Sequence, residues 1–181
     1  MKYLLIIFFI WHVSACVDEP EILMTLDRAT PDLTLHGDTL YYGQNKYTGY
    51  VLGRYENGDS ASFSSYRNGL QHGMQKSWYP NKTVSEVRYF DRGNKTGTHK
   101  GYWEDGGPKF EYEFQNGEHH GVLREWYSNG QPYKVFHYEK GYEAGSQKMW
   151  WENGLIRANY VVKNGRRYGL IGLKLCVNPK S

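Results

Sequence analysis

Few side chains in this sequence combine a reactive type with a telling spacing, and Cys16 is the first. It follows Val13, Ser14 and Ala15 at the end of an apolar run over residues 3–11, which is itself preceded by a single cation at Lys2. This is the layout of a secretory signal segment. A cysteine directly after the cut is the residue that a bacterial lipoprotein pathway acylates, whereas small residues at Val13 and Ala15 also suit ordinary cleavage after Ala15. The apolar run is far shorter than the roughly 20 residues a membrane-crossing helix needs. We therefore expect a signal peptide over residues 1–15, lipidation at Cys16, and an acidic tether and N-terminal cap over residues 16–38. That places the protein in the bacterial cell envelope as a membrane-anchored lipoprotein. Each buried CH₂ of an acyl chain is worth about 0.8 kcal/mol, so several chains hold firmly.

The other reactive side chains do not converge. His72 and His120 each precede a glycine, Gly73 and Gly121, and lie two repeats apart. On a sheet that is roughly 19 Å, too far to share one ion. His119 and His120 read as turn polarity. Glu111 and Glu113 alternate on one strand face and read as a solvated edge rather than an acid–base pair. The sequence has neither a phosphate-binding loop nor a Gly-x-Ser-x-Gly elbow. Cys176 reads as a small buried apolar residue, and with Cys16 lipidated no disulfide framework is expected. The net charge of +3 is too weak for a nucleic-acid binder. The expectation is a protein that is not an enzyme and has no metal or cofactor.

Aromatic residues carry the remaining chemistry. The pairs Trp78/Tyr79, Tyr102/Trp103, Trp126/Tyr127 and Trp150/Trp151 recur every 24 residues, with Lys76, Lys100, Arg124 and Lys148 just before them. Adjacent strand residues face opposite ways, so a single-layered sheet would leave one aromatic row exposed, as interaction surfaces do. The candidate partner-binding residues are Trp78, Trp103, Trp126, Trp150, Trp151, Lys100, Arg124 and Lys148, and the partner is a protein or a glycan. Tyr66, Phe90, Phe114 and Tyr138 form a second aromatic set, read as core.

These residues are positioned by a repeat. Gly49, Gly73, Gly97, Gly121, Gly145 and Gly169 are 24 residues apart, as are Gly69, Gly93, Gly117, Gly141 and Gly165. A third register runs Gly58, Lys82, Gly106, Gly130 and Gly154, broken only at Lys82. Such periodicity is the mark of a repeat array. Glycine is frequent, at 21 residues, and 17 Tyr, 6 Trp and 7 Phe supply much of the apolar area, which favours short strands and tight turns. Each unit reads as two strands and two turns. Asn57-Gly58, Asp105-Gly106, Asn129-Gly130 and Asn153-Gly154 are expected to form primed hairpin turns. The Gly-x-x-x-Gly elements are expected to use glycine for positive φ. Tyr42 stands 24 residues before Tyr66, so the array opens with half a unit at Leu40. The expected fold is all-β: an elongated antiparallel meander of about five hairpins over residues 39–172, with a tail over residues 173–181.

The stretches from Gly121 to Gly130 and from Gly145 to Gly154, each followed by a Tyr/Val strand and Gly-x-x-x-Gly, resemble the MORN repeat, in particular the bacterial variant grouped as YwqK-type antitoxin proteins. The resemblance covers about residues 39–172. It implies hairpin units in an elongated sheet and association with protein or membrane lipid without catalysis. With a signal peptide present, an antitoxin role would mean immunity against a toxin met in the envelope.

Overall fold

The structure, a computed structural model, describes residues 23–172. The expected signal peptide, the lipidation site Cys16 and the 173–181 tail with Cys176 lie outside the described residues. Strands are β1 (Thr25–Asp27), β2 (Leu33–His36), β3 (Thr39–Tyr42), β4 (Asn45–Lys46), β5 (Gly49–Arg54), β6 (Ser60–Arg67), β7 (Leu70–Trp78), β8 (Val84–Asp91) and β9 (Asn94–Lys95). They continue as β10 (Gly97–Tyr102), β11 (Pro108–Gln115), β12 (Glu118–His119), β13 (Gly121–Trp126), β14 (Pro132–Glu139), β15 (Tyr142–Trp150), β16 (Ile156–Lys163) and β17 (Arg166–Leu170). The fold is all-β, and from β5 to β17 each main strand pairs antiparallel with the next in one 14-stranded sheet.

The two kinds of turn divide the work differently from the sequence expectation. At the Asn-Gly turns only the glycine is left-handed, as at Gly58 with φ 85°. The Gly58 N–H bonds back to the Tyr55 carbonyl, and the Tyr55 N–H bonds to the Asp59 carbonyl, both at 2.9 Å. That is a wider turn closed by a glycine bulge, not a two-residue primed turn. Asn and Asp are there for another reason: Asn57, Asn81, Asp105, Asn129 and Asn153 each accept the N–H two residues on, at 2.8–3.1 Å. At Lys82 the same turn persists with a lysine at φ 69°. The primed pattern belongs to the other turn. Asn68 and Gly69 are both left-handed (φ 51° and 79°), and Arg67 pairs directly with Leu70 across them. The second glycine of Gly-x-x-x-Gly sits in a bulge: Gly73 has φ 86°, and the register between β6 and β7 slips between Ser64 and Tyr66.

Pairing fixes the two faces. Val51 opposes Ser64, Leu123 opposes Phe136 and Gln147 opposes Tyr160, and all are buried. One pleat along the strands, Tyr66, Phe90, Phe114 and Val162 are buried on the same face. The expected core set is therefore at the core, with Tyr138 half-buried against it. His119 also inserts there, its ring 4.4 Å from Phe114 and 5.2 Å from Tyr138. This corrects its reading as turn polarity. His99, 2 % exposed, lies between Phe90 and Phe114 with ring centroids 5.6 and 4.5 Å away.

The N-terminal cap is more than a tether. β1 pairs parallel with β5 and covers the edge of the sheet, which would otherwise offer free backbone groups. β2, β3 and β4 form a separate three-stranded sheet. The half unit expected at Leu40 joins the array through backbone bonds from Leu40 N–H to the Gly69 carbonyl and from Gly69 N–H to the Tyr47 carbonyl. Leu40, Tyr47, Val51 and Tyr66 make its core, with Leu26 and Leu33 packed against them.

Candidate functional site

The cations singled out by spacing fall on one line. Across the sheet the directly opposed residues run Leu52, Phe63, Lys76, Val87, Lys100, Glu111, Arg124, Val135, Lys148 and Asn159. This row lies on the face opposite Leu123 and Phe136, because its members alternate with theirs along each strand. Cations two strands apart stand about 9.6 Å from one another by sheet geometry. Glu111 lies between two of them, 3.1 Å from Lys100 Nζ and 2.9 Å from Arg124 Nη1. The hydrogen bond from Lys100 to Glu111 holds the lysine pKa above its ordinary value. The reading of Glu111 as a solvated edge is thus corrected: it belongs to an interior strand and bridges two cations.

The tryptophans do not form the exposed row expected of them. Trp78, Trp103, Trp126 and Trp150 are half-buried, and Trp151 is the exposed one at 50 %. Trp78 and Trp126 are each followed by a tyrosine that binds backbone, and Tyr55 after Arg54 holds the same register. Tyr55, Tyr79 and Tyr127 each donate a hydroxyl hydrogen bond to the backbone carbonyl 23 residues on, at Trp78 (2.6 Å), Tyr102 (2.9 Å) and Trp150 (3.0 Å). In the Trp78/Tyr79 and Trp126/Tyr127 pairs the tyrosine is therefore a clamp between successive hairpins. The opposite margin carries a second stitch: Gly93, Gly117 and Gly141 donate their N–H to the carbonyls of Gln71, Lys95 and His119 at 2.8–2.9 Å. Residue type, not period alone, would have revealed the clamps, since only tyrosine offers the hydroxyl.

Trp103 stands where a clamp tyrosine would be. Next to it opens a cleft of about 330 Å³ lined by Trp103, Lys109, Phe110, Tyr112, Glu125 and Trp126, with Tyr127, Ser128 and Tyr133 completing its wall. Phe110 and Tyr112 stack at 4.5 Å, and Tyr127 meets Tyr133 edge-on at 5.0 Å. Inside the wall the Glu125 carboxylate accepts from the Tyr112 hydroxyl at 3.0 Å and from Lys134 Nζ at 2.7 Å. Burial, reinforced by that carboxylate, pushes the Tyr112 phenol well above its ordinary value. Lys109 Nζ lies 4.6 Å from the Trp103 ring centre. The Trp103 indole Nε1 is buried and has no hydrogen-bond partner among the described residues. Sequence reasoning missed this cleft; the one signal for it was the tryptophan in a tyrosine register.

Polar groups elsewhere on the packed face are structural. His99 Nε2 lies 2.8 Å from the Tyr89 carbonyl. Gln147, at the same place in its hairpin, makes the equivalent bond to the His137 carbonyl at 2.9 Å. Among the described residues no group of three His, Cys, Asp or Glu is placed to hold a metal ion, and His72 lies beside Asp91, not beside another histidine. No helix among them is long and apolar enough to cross a membrane. No family model matches the sequence, and a search of curated proteins finds no match.

Proposed function

We propose that this chain is a non-catalytic module, lipid-anchored through Cys16 in the bacterial envelope, that binds a protein partner across the face carrying Lys76, Lys100, Arg124 and Lys148. The observation that carries the reading is the row itself. It crosses the sheet from Leu52 to Asn159 with a cation on every second strand from Lys76 to Lys148, and Lys100 and Arg124 share the Glu111 carboxylate while their side chains remain 47 % and 38 % exposed. Arginine is enriched at protein interfaces. Four cations against the single carboxylate of Glu111 leave the row positive, which favours an acidic partner by steering its approach. The resemblance to the MORN and YwqK-type repeats supports a binding role, and an envelope toxin to be neutralised is a partner of the fitting kind.

The test compares full-length wild-type protein with the Arg124→Glu/Lys148→Glu double variant. Proteins cross-linked to the wild type in envelope preparations are identified, purified and titrated against both forms. Affinity for the partner should fall by at least about tenfold in the variant, a loss of roughly 1.4 kcal/mol. Equal affinity for both forms, or no partner at all, removes the proposal. Liposomes are titrated in parallel, and binding to them in place of protein counts against it. Separately, Cys16→Ser should abolish labelling by radioactive fatty acid and release the protein from membranes.

A further inference from the structure

We infer that the cleft beside Trp103 binds a sugar ring of a glycan. Three observations converge there. First, the cleft lies where the inter-hairpin clamp fails: Tyr55, Tyr79 and Tyr127 each reach the next hairpin's carbonyl, whereas Trp103, in the same register, has no hydroxyl to do so. The opening is thus a local departure from the repeat. Second, its walls are aromatic, and at about 330 Å³ it is of the size that takes a small ligand. Third, its polar groups are of both kinds. The Glu125 carboxylate is an acceptor, the Ser128 hydroxyl is both donor and acceptor, and the Lys109 ammonium is a donor.

A pyranose ring fits this mixture. Its C–H face is apolar and flat enough to lie on an aromatic ring, and its rim of hydroxyls needs donors and acceptors together. A cationic ligand fits poorly, because Lys109 already lies over Trp103 at 4.6 Å and Lys134 over Tyr133 at 5.4 Å. A proline-rich peptide would use the aromatic walls but would cover Glu125 and Lys109 without giving them hydrogen bonds, which is costly. The site lies apart from the cation row and does not depend on it.

The test uses the full-length protein in a detergent without a sugar head group. Calorimetric titrations use oligosaccharides of glucose, galactose, mannose, N-acetylglucosamine and glucuronic acid, with a proline decapeptide as the peptide probe. At least one oligosaccharide should bind. Trp103→Tyr introduces the clamp residue found at Tyr55, Tyr79 and Tyr127, so it should keep or raise the melting temperature while weakening that sugar by at least about tenfold. Glu125→Gln should weaken it as well, and Tyr142→Ser, at the exposed start of β15 and outside the cleft lining, should not. Absence of binding by every oligosaccharide, sugar binding unchanged in Trp103→Tyr, or binding of the decapeptide in place of sugars would each overturn the inference.

Discussion

The Tyr79 hydroxyl donates a hydrogen bond of 2.9 Å to the backbone carbonyl of Tyr102, one hairpin further along the sheet. Tyr55 and Tyr127 repeat the contact. A hairpin by itself is marginal in water, so a bond that ties each turn to the next hairpin makes the array cooperative. A typical hydrogen bond contributes about 1 kcal/mol net. Tyr79→Phe and Tyr127→Phe should therefore each lower the unfolding free energy by about 1 kcal/mol, read from urea denaturation. A change below a few tenths in both would show that the clamp contributes nothing.

Lys82 occupies a left-handed position that glycine fills in the equivalent turns, with φ 69° against 85°, 89°, 82° and 82° at Gly58, Gly106, Gly130 and Gly154. A non-glycine residue there is strained by roughly 1–2 kcal/mol, partly offset because glycine loses more freedom on folding. Its ion pair with Asp59, at 3.0 Å with the lysine 73 % exposed, is worth little. Lys82→Gly should stabilise the protein by about 1 kcal/mol, whereas Lys82→Ala, which keeps the strain, should not. Melting temperatures of the two variants decide the matter.

Burial holds the pKa values of His99 and His119 below the ordinary histidine value, opposed at His99 by the bond to the Tyr89 carbonyl but aided by Arg88 and Lys95, and aided at His119 by Lys95 and Lys134 against Glu125. Both are therefore favoured neutral in the fold. The unfolded chain takes up protons more readily, so stability is fully present above about pH 6.5 and is lost as pH falls below it toward the depressed folded values. Unfolding free energies at pH 8 and pH 5 should show this loss. His99→Gln should reduce it, because glutamine makes the equivalent carbonyl bond at Gln147 without titrating in this range. An unchanged slope in His99→Gln would refute a role for His99.

A side chain at Gly101 would collide with the ring of Phe110, which lines the cleft. Overpacking of this kind costs about 1–3 kcal/mol. Gly101→Ala should lower stability by that amount in denaturant titrations, while Gly101→Ala combined with Phe110→Leu should recover part of it.

Much of this architecture was legible in the residues alone. Glycines at three registers, alternating aromatics and Asn-Gly dipeptides dictate short strands and tight turns, because positive φ and the two-residue pleat are properties of single residues and their neighbours. The all-β meander, the half unit at Leu40 and the core set of Tyr66, Phe90 and Phe114 follow from that periodicity. What the folded sheet alone decided were relations across strands. Which of two glycine turns is primed depends on how Arg67 meets Leu70. Glu111 bridges Lys100 and Arg124 only because three strands bring them side by side. The pairing of β1 with β5 has no local signature, since parallel pairing joins segments distant in sequence. The cleft at Trp103 is the clearest case. A tryptophan in a tyrosine register is visible in the sequence, but the hydroxyl bond it fails to make spans 23 residues and exists only once the hairpins are packed together.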